Sequence, residues 1–467
     1  MATTTSTNIP PTPQHILIIG AGEFGLATTL SLLSNPTYSN TRISIVDSSP
    51  QLPNPSGSSV DANRIVRADY ASTPYSKLAL EVQELWRDTT PDGWGGEGRY
   101  HEPGFVLTAD QGHGAYVQKS LDNVRAFAAA DVSGGGDLTK IRELHGHVEI
   151  QAATGYEGVS GDHGYVNGNS GWADAEACVA FALRRVERER GDRVAIYSGA
   201  KVDRLLFSDD HGVTGVELQD GRQMHADLTV LTAGAWSPSL IDLQGRCLAT
   251  GQAVAFIDIT EDEQEAMAHR PVVMNWSQGM FIIPPRDRKL KIARHGYGYR
   301  NLVKIPRKKL QPDAGNAGDD EDDSIIEVSV PEVAVPIPLE AEDAIREAMG
   351  VLVPHMKDRP FTRTRICWYC DTPSGDFLMT YHPHHKNLFI ATGGSGHGFK
   401  FFPVIGDKIV DALQGKLDPE LAELWRWRTP EDLKRDMDGE TFLGCDDGSR
   451  AGRKGMILAE EAKRTRT

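Results

Sequence analysis

The stretch His15-Ile16-Leu17-Ile18-Ile19-Gly20-Ala21-Gly22-Glu23-Phe24-Gly25 decides the fold. Its apolar run, 16–19, reads as a strand buried on both faces. It passes directly into Gly-x-Gly-x-x-Gly and then into residues 26–33, which read as a helix. Gly20 makes the tight turn, Gly22 lets backbone close on a pyrophosphate, and Gly25 lets the helix pack on the strand. The helix N-terminus offers free N–H groups and a positive dipole end to phosphate. A second strand, 42–46, ends at Asp47, where an acid suits a ribose hydroxyl. That acid disfavours a 2′-phosphate, so the unit predicts FAD or NAD rather than NADP.

Outward from this unit, 467 residues are enough for two to three domains. The 39% hydrophobic and 24% charged content is that of a soluble globular chain. A net charge of −16 argues against nucleic acid as a partner, since phosphate binding needs a basic face. Part of the excess is the acidic run 319–323, read as a solvated loop. Five cysteines (Cys178, Cys247, Cys367, Cys370, Cys445) point to a reducing compartment rather than a disulfide scaffold. No apolar run approaches the roughly 20 residues of a membrane-spanning helix. Residues 1–13 are Thr/Pro-rich and lack the features of a signal peptide. The ending Arg464-Thr465-Arg466-Thr467 is not a Ser-Lys-Leu address, and the expected location is the cytoplasm.

Residues 48–59, rich in Ser, Pro and Asn, predict a loop. Helices are predicted over 81–87, 116–130 and 174–190, with a flexible break at 133–137. Strands are predicted over 194–197, 202–207, 215–218 and 330–337. Residues 228–236 repeat the logic of the opening motif, a buried strand entering a glycine turn. The same logic returns at 388–392, which runs into Gly393-Gly394-Ser395-Gly396-His397-Gly398 and a helix over 404–413. Nucleotide-binding signals at the start, middle and end predict an α/β chain of two interleaved domains. One is a Rossmann-like domain (14–75, 165–245, 360–430). The other is a sheet-based substrate domain (76–164, 246–359), with tails at 1–13 and 431–467.

The third glycine turn can present backbone N–H groups to a planar ring or an anion. Two such turns suit a large cofactor such as FAD. Cys367-x-x-Cys370 is open to three readings: redox pair, half a zinc site, or buried thiols. No second CxxC or matched His pair supports zinc, and no metal is expected. In a strand the two cysteines face opposite sides.

Five segments occur here in the order found in one family. They are Gly20-x-Gly22-x-x-Gly25, 63–67 (Asn-Arg-Ile-Val-Arg), 232–238, 365–369 and 394–400. Over about residues 14–428 the chain resembles the monomeric sarcosine oxidase and fructosyl amino acid oxidase (amadoriase) group of D-amino-acid-oxidase-like flavoproteins. The ending Trp425-Arg426-Trp427-Arg428 resembles the fungal members. The resemblance implies FAD joined through its 8α carbon to Cys367, and Lys291 near the flavin as the group that helps activate O2. It implies Arg67 and Lys400 as the pair that grips a substrate carboxylate, with Arg64 a further basic residue at the flavin. It implies His295 as the active-site histidine of sarcosine oxidases, at a place where amadoriases hold a glutamate. The cofactor contacts expected on this basis are Gly20, Gly22, Glu23, Phe24, Gly25, Asp47, Ser48, Ser59, Arg64, Val202, Ala233, Gly234, Trp236, Cys367, Gly394, Gly396, His397, Gly398, Phe399 and Lys400.

The implied activity is oxidation of a C–N bond in a secondary, N-methyl or cyclic, amino acid to an imine, with O2 reduced to H2O2. The expected state is a monomer whose partners are the amino acid or amine and O2, with no nucleic acid or membrane. A fructosyl amino acid oxidase and a saccharopine- or pipecolate-type oxidase stand as alternatives. Outside the oxidases, so do a flavin-binding sensor and an NAD dehydrogenase. His295 in place of glutamate counts against the fructosyl reading.

Overall fold

A computed structural model describes residues 12–130, 136–310, 325–437 and 450–464. The expected break at 133–137 is therefore described only at its end, and the acidic run 319–323 and Cys445 lie outside the described residues. The strand His15–Ile19 forms as expected, and Ile16, Leu17 and Ile18 are fully buried. It sits inside a six-stranded sheet in the order 378–381, 388–392, 228–231, 15–19, 42–46, 194–197, parallel except for the first pair.

The two faces of this strand have different neighbours, because successive side chains alternate. Ile16 and Ile18 pack into a cluster with the helices Glu23–Ser34, Ala175–Glu189 and Phe402–Leu413. Leu17 and Ile19 pack against the small antiparallel sheet of Val202–Phe207, Val213–Leu218 and Gln223–His225. Parallel strands covered on both faces are buried along their whole length, hence the unbroken apolar run. Asp174 caps the helix Ala175–Glu189, accepting from Ala177 N at 3.0 Å.

The second large sheet has eight strands, ordered 363–371, 248–258, 289–294, 280–286, 272–275, 105–109, 163–167, 141–145. Two segments grouped by sequence with the nucleotide half, residues 165–167 of the strand His163–Asn167 and the strand Arg363–Asp371, pair here. One face of this sheet packs Ile292, Ile282, Leu290 and Trp368 against the helix Leu339–Leu352. The opposite face carries Phe281, Ile283, Ala293 and Cys367. By register Lys291 and Tyr369 share that second face, which therefore gathers the chemistry-bearing residues.

The strand expected over 330–337 forms earlier, as Ile325–Ser329. Val330 N still donates to Asn301 O at 3.0 Å, but Pro331, Pro336 and Pro338 lack the N–H a ladder needs, so no strand continues to the helix. Part of the stretch read as a C-terminal tail docks onto the body. Ala451 bridges to Gly296, Ile457 bridges to Arg300, and Met456 and Leu458 enter the core.

The glycine turn shows why its residues are small. Gly20 has φ +110°, and a Cβ there would lie 2.7 Å from Thr232 O. A Cβ on Gly25 would lie 1.9 Å from Gly20 O and 2.9 Å from Thr232 Oγ1, so the helix can only approach this closely without one. Gly25→Ala is expected to cost about 1–3 kcal/mol through overpacking, read as a lower denaturation midpoint. An unchanged midpoint would show that the helix has room to shift.

Candidate active site

The strands His15–Ile19 and Leu228–Leu231 lie side by side and end in glycine turns at Gly20 and Gly234. The chain leaves the first strand toward 42–46 and the second lies on its other side, so a crevice opens at their carboxyl ends. Three cavities run from that crevice toward the eight-stranded sheet. The first, about 850 Å³, is bordered by Gly20, Gly22, Asp47, Ser48, Ser59, Val202, Ala233, Gly234 and Trp236. The second, about 590 Å³, is bordered by Glu23, Phe24, Arg64, Gly394, Gly396, Gly398 and Phe399. It shares Gly22, Ser58, Ser59, Thr232 and Gly234 with the first. The third, about 610 Å³, holds Arg67, Lys291, His295, His397 and Lys400, and shares Arg64, Tyr369, Gly396 and Phe399 with the second. Shared walls join the three into one elongated channel.

Two expected contact residues do not line it. Gly25 is used in helix packing, and Cys367 lies behind the wall, 1% exposed. Arg64, which borders the channel, donates from Nη2 to Cys367 Sγ at 3.3 Å. Cys370, on the other side of the strand, packs with Cys247 in the nucleotide half and accepts from Thr392 Oγ1 at 3.3 Å.

Asp47 is already engaged. It accepts from Ala21 N at 2.9 Å, Ser49 N at 2.9 Å and Asn54 Nδ2 at 3.0 Å, which fixes its carboxylate at the mouth of the first cavity. The helix Glu23–Ser34 starts at Gly22, which has no side chain to cap it, and its first N–H, on Glu23, donates to Ser59 Oγ at 3.1 Å. Glu23 borders the second cavity, and burial pushes its carboxyl up to about 7 against the pull of Arg64 and Lys400.

Lys291 is 1% exposed. Its Nζ donates to Asp61 Oδ2 at 2.6 Å and to Asn63 O at 2.8 Å. Burial lowers its ammonium to about 8, although Asp61 opposes the shift. Asp61 also pairs with Arg64. Burial works to raise the Asp61 carboxyl, but Lys291, Arg64 and Arg365 together hold it far below the usual range. Sequence reading missed Asp61, although it stands just before the 63–67 motif it anchors.

At the far end, Lys400 Nζ donates to Tyr70 OH at 2.8 Å and to His397 O at 3.0 Å. His397 Nε2 lies 2.9 Å from Gly375 O and therefore carries the proton. Its Nδ1, 3.1 Å from Tyr70 OH, then accepts from the phenol, which leaves the phenol lone pairs for Lys400. Phe377 stacks on His397 at 4.8 Å, and Trp425 of the terminal Trp-Arg-Trp-Arg packs behind it. Burial, then Arg67, push the Lys400 ammonium well down. Two of its three donors are committed and one is left.

Arg67 is boxed by the rings of Tyr70 (4.9 Å), Trp276 (5.4 Å) and Phe105 (5.5 Å). Its Nη1 is buried without a hydrogen-bond partner. Among the described residues no acid borders this cavity. Asp69 acts on both Arg67 and Lys400, and Glu23 on Lys400, but neither acid borders the cavity, so the orphaned Arg67 donor and the uncommitted Lys400 donor make a seat for an anion.

His295 follows the strand Lys289–Arg294 and tilts against Tyr369 at a ring distance of 5.9 Å. Burial pushes its imidazole well below the usual value, with Arg450, His397, Arg67 and Lys400 adding to the effect, so the ring is neutral. Arg450 comes from the docked C-terminal stretch and donates to Asp371 Oδ1 at 2.7 Å and Ser395 O at 3.0 Å. Among the described residues no group of three or more acidic, His or Cys side chains could hold a metal ion. No described helix is long and apolar enough to cross a membrane.

The elongated channel, the glycine turn at the helix start and the anchored Asp47 fit an extended dinucleotide. Comparison with known proteins agrees. A family model described as FAD dependent oxidoreductase matches residues 15–412. The chain is 32% identical to the amino acid oxidase imqH of Aspergillus flavus, over 89% of this chain and 98% of that one. It is 28% identical to the L-saccharopine oxidase of Schizosaccharomyces pombe, over 89% and 93%. Among solved structures, fructosyl amine:oxygen oxidoreductase (Amadoriase I) of Aspergillus fumigatus superposes with a TM-score of 0.76 at 28% identity, covering 97% of both chains. With the fold, the channel and the match across most of its length in agreement, the chain belongs to the family of FAD-dependent oxidoreductases.

Proposed function

We propose that this flavoenzyme oxidises the C–N bond of a secondary amino acid, N-methyl or cyclic, to the imine, reducing O2 to H2O2. The observation that carries the reading is the acid-free cavity in which Arg67 and Lys400 converge next to Lys291 and His295. Bound FAD supplies the acceptor for hydride from the substrate carbon and passes the electrons on to O2. The residues bordering the first two cavities would hold it, and Cys367 would carry it covalently through the 8α carbon. Lys400 and the orphaned Arg67 Nη1 bind and orient the substrate carboxylate. Neutral His295 accepts a hydrogen bond from the amine, which must be unprotonated to release hydride. Lys291, held by Asp61, places a positive charge where O2 becomes anionic. On this reading the protein is a cytoplasmic monomer serving a small molecule and O2. The histidine at position 295 speaks against a fructosyl substrate.

The covalent bond is read from denatured protein. Acid-precipitated enzyme should stay yellow, with its mass raised by one FAD, and Cys367→Ala should release the flavin. Flavin lost completely from native protein on precipitation would remove the tether from the proposal.

Lys291→Met should slow reoxidation of the reduced flavin by about 10²–10³, by analogy with a lost oxyanion donor, and slow substrate reduction far less. Lys291 is charged below about pH 8 and neutral above it. Wild-type reoxidation should therefore fall as pH rises through that value, and the variant should lack this limb. Equal slowing of both half-reactions in stopped-flow traces would assign Lys291 another role.

For the carboxylate, Arg67→Ala should weaken kcat/KM for the amino acid by about 2–5 kcal/mol while sparing the decarboxylated amine. Similar losses for both would mean that the pair does not hold a carboxylate.

A further inference from the structure

The polar groups of the substrate cavity are few and mostly spoken for. Lys291 is bound to Asp61 and Asn63 O. Arg64 is bound to Asp61, to Ser58 O at 2.7 Å and to Cys367 Sγ. Tyr70, His397 and Lys400 are bound to one another. What remains is one anion seat at Arg67 and Lys400, the neutral ring of His295, the Tyr369 phenol, and Asn63 Oδ1, which is buried without a partner. These can serve one carboxylate and the N–H of one amine.

Apart from the phenol of Tyr369, the rest of the wall is apolar: Ile65, Met274, Trp276, Phe281, Ile283 and Phe399. Four of these come from one patch of the eight-stranded sheet, on or just after Val272–Asn275 and Met280–Arg286. Trp276 is held broadside by Tyr116, stacked at 3.8 Å and 16°. It cannot swing aside without breaking that stack. A second ammonium on the substrate would find no carboxylate here. A second carboxylate would find only cations already paired, and a polyol would leave most of its hydroxyls unpaired.

We infer that the substrate of this cavity is an amino acid with one carboxylate and one secondary amine whose remaining arm is aromatic or comparably large and apolar. This rests on the proposed carboxylate seat and adds the identity of the arm. Small N-methyl amino acids leave the Trp276 and Phe281 wall uncovered. Doubly charged and fructosyl amino acids meet it with groups it cannot satisfy. One additional methylene in such a pocket is worth about 10–200-fold in discrimination, so an aryl group should exceed the lower bound.

The test uses the FAD-loaded enzyme and non-oxidisable acids, with binding followed by the perturbation of the flavin absorbance. Acetate, 3-phenylpropionate, indole-3-acetate and glutarate are titrated separately. The two aryl acids should bind at least tenfold tighter than acetate, and glutarate no tighter than acetate. Phe281→Ala should lose most of the aryl preference while its acetate constant stays put. In turnover, N-methylphenylalanine should exceed sarcosine and fructosyl-valine by tenfold or more in kcat/KM. If acetate or glutarate matches the aryl acids, the inference about the arm is wrong while the carboxylate seat stands. If no acid perturbs the flavin, or Arg67→Ala leaves all four titrations unchanged, the seat itself is wrong and the inference falls with it.

Discussion

The buried carboxylate of Asp61 ties the two halves of the site together. It comes from the loop that follows the nucleotide unit, yet it binds Lys291 from the eight-stranded sheet and Arg64 from the strand Arg64–Val66. Arg365 adds to the junction by donating to Val60 O at 2.8 Å and Gly57 O at 3.3 Å. Removing one partner of a buried charge pair typically costs about 3–5 kcal/mol, because the other charge is left uncompensated. Here two cations depend on one acid. Its position fixes the cation proposed to meet O2, the guanidinium against Cys367, and the wall shared by the second and third cavities.

From that junction the channel divides its work by polarity. Backbone donors, the fixed Asp47 and small glycines face the nucleotide end, where close approach matters more than charge. Toward the other end Lys291 and Arg64 share the one carboxylate of Asp61, while among the described residues no carboxylate is hydrogen-bonded to Arg67 or Lys400. This arrangement leaves one unsatisfied positive seat in an otherwise apolar room, and the substrate reading depends on that contrast. The neutral imidazole of His295 belongs to the same logic. Burial, reinforced by four cationic or histidine neighbours, keeps it uncharged, so it adds an acceptor without adding a second anion seat.

The C-terminal stretch 450–464 has a part in this beyond covering the sheet. Through Arg450 it binds Asp371 and the carbonyl of Ser395, and so braces the third glycine turn from behind. Trp425 braces the same turn from the other side through Tyr75 and Phe377. The turn that carries His397 and Lys400 is thereby held by segments that follow it in the chain.

Much of this was legible in the residues, because local patterns carry it. The apolar run into Gly20-x-Gly22-x-x-Gly25, the acid at Asp47 and the later turns at 234 and 393–398 are short-range signals with short-range causes. The strand expected over 330–337 failed for an equally local reason, since its prolines cannot join a ladder. The tertiary structure decided what depends on distant partners. Nothing near Lys291 in sequence announces Asp61, and nothing near Arg67 shows that its Nη1 has no partner. The pairing of Arg363–Asp371 with Leu248–Asp258 puts Cys367 and Lys291 on one sheet face, and no local pattern encodes which strands become neighbours. By itself the sequence determined the cofactor-binding unit, through glycine sterics and strand burial. Only the fold decided which charges are neutralised and which are left for a ligand, because burial and ion pairing are properties of the packed chain.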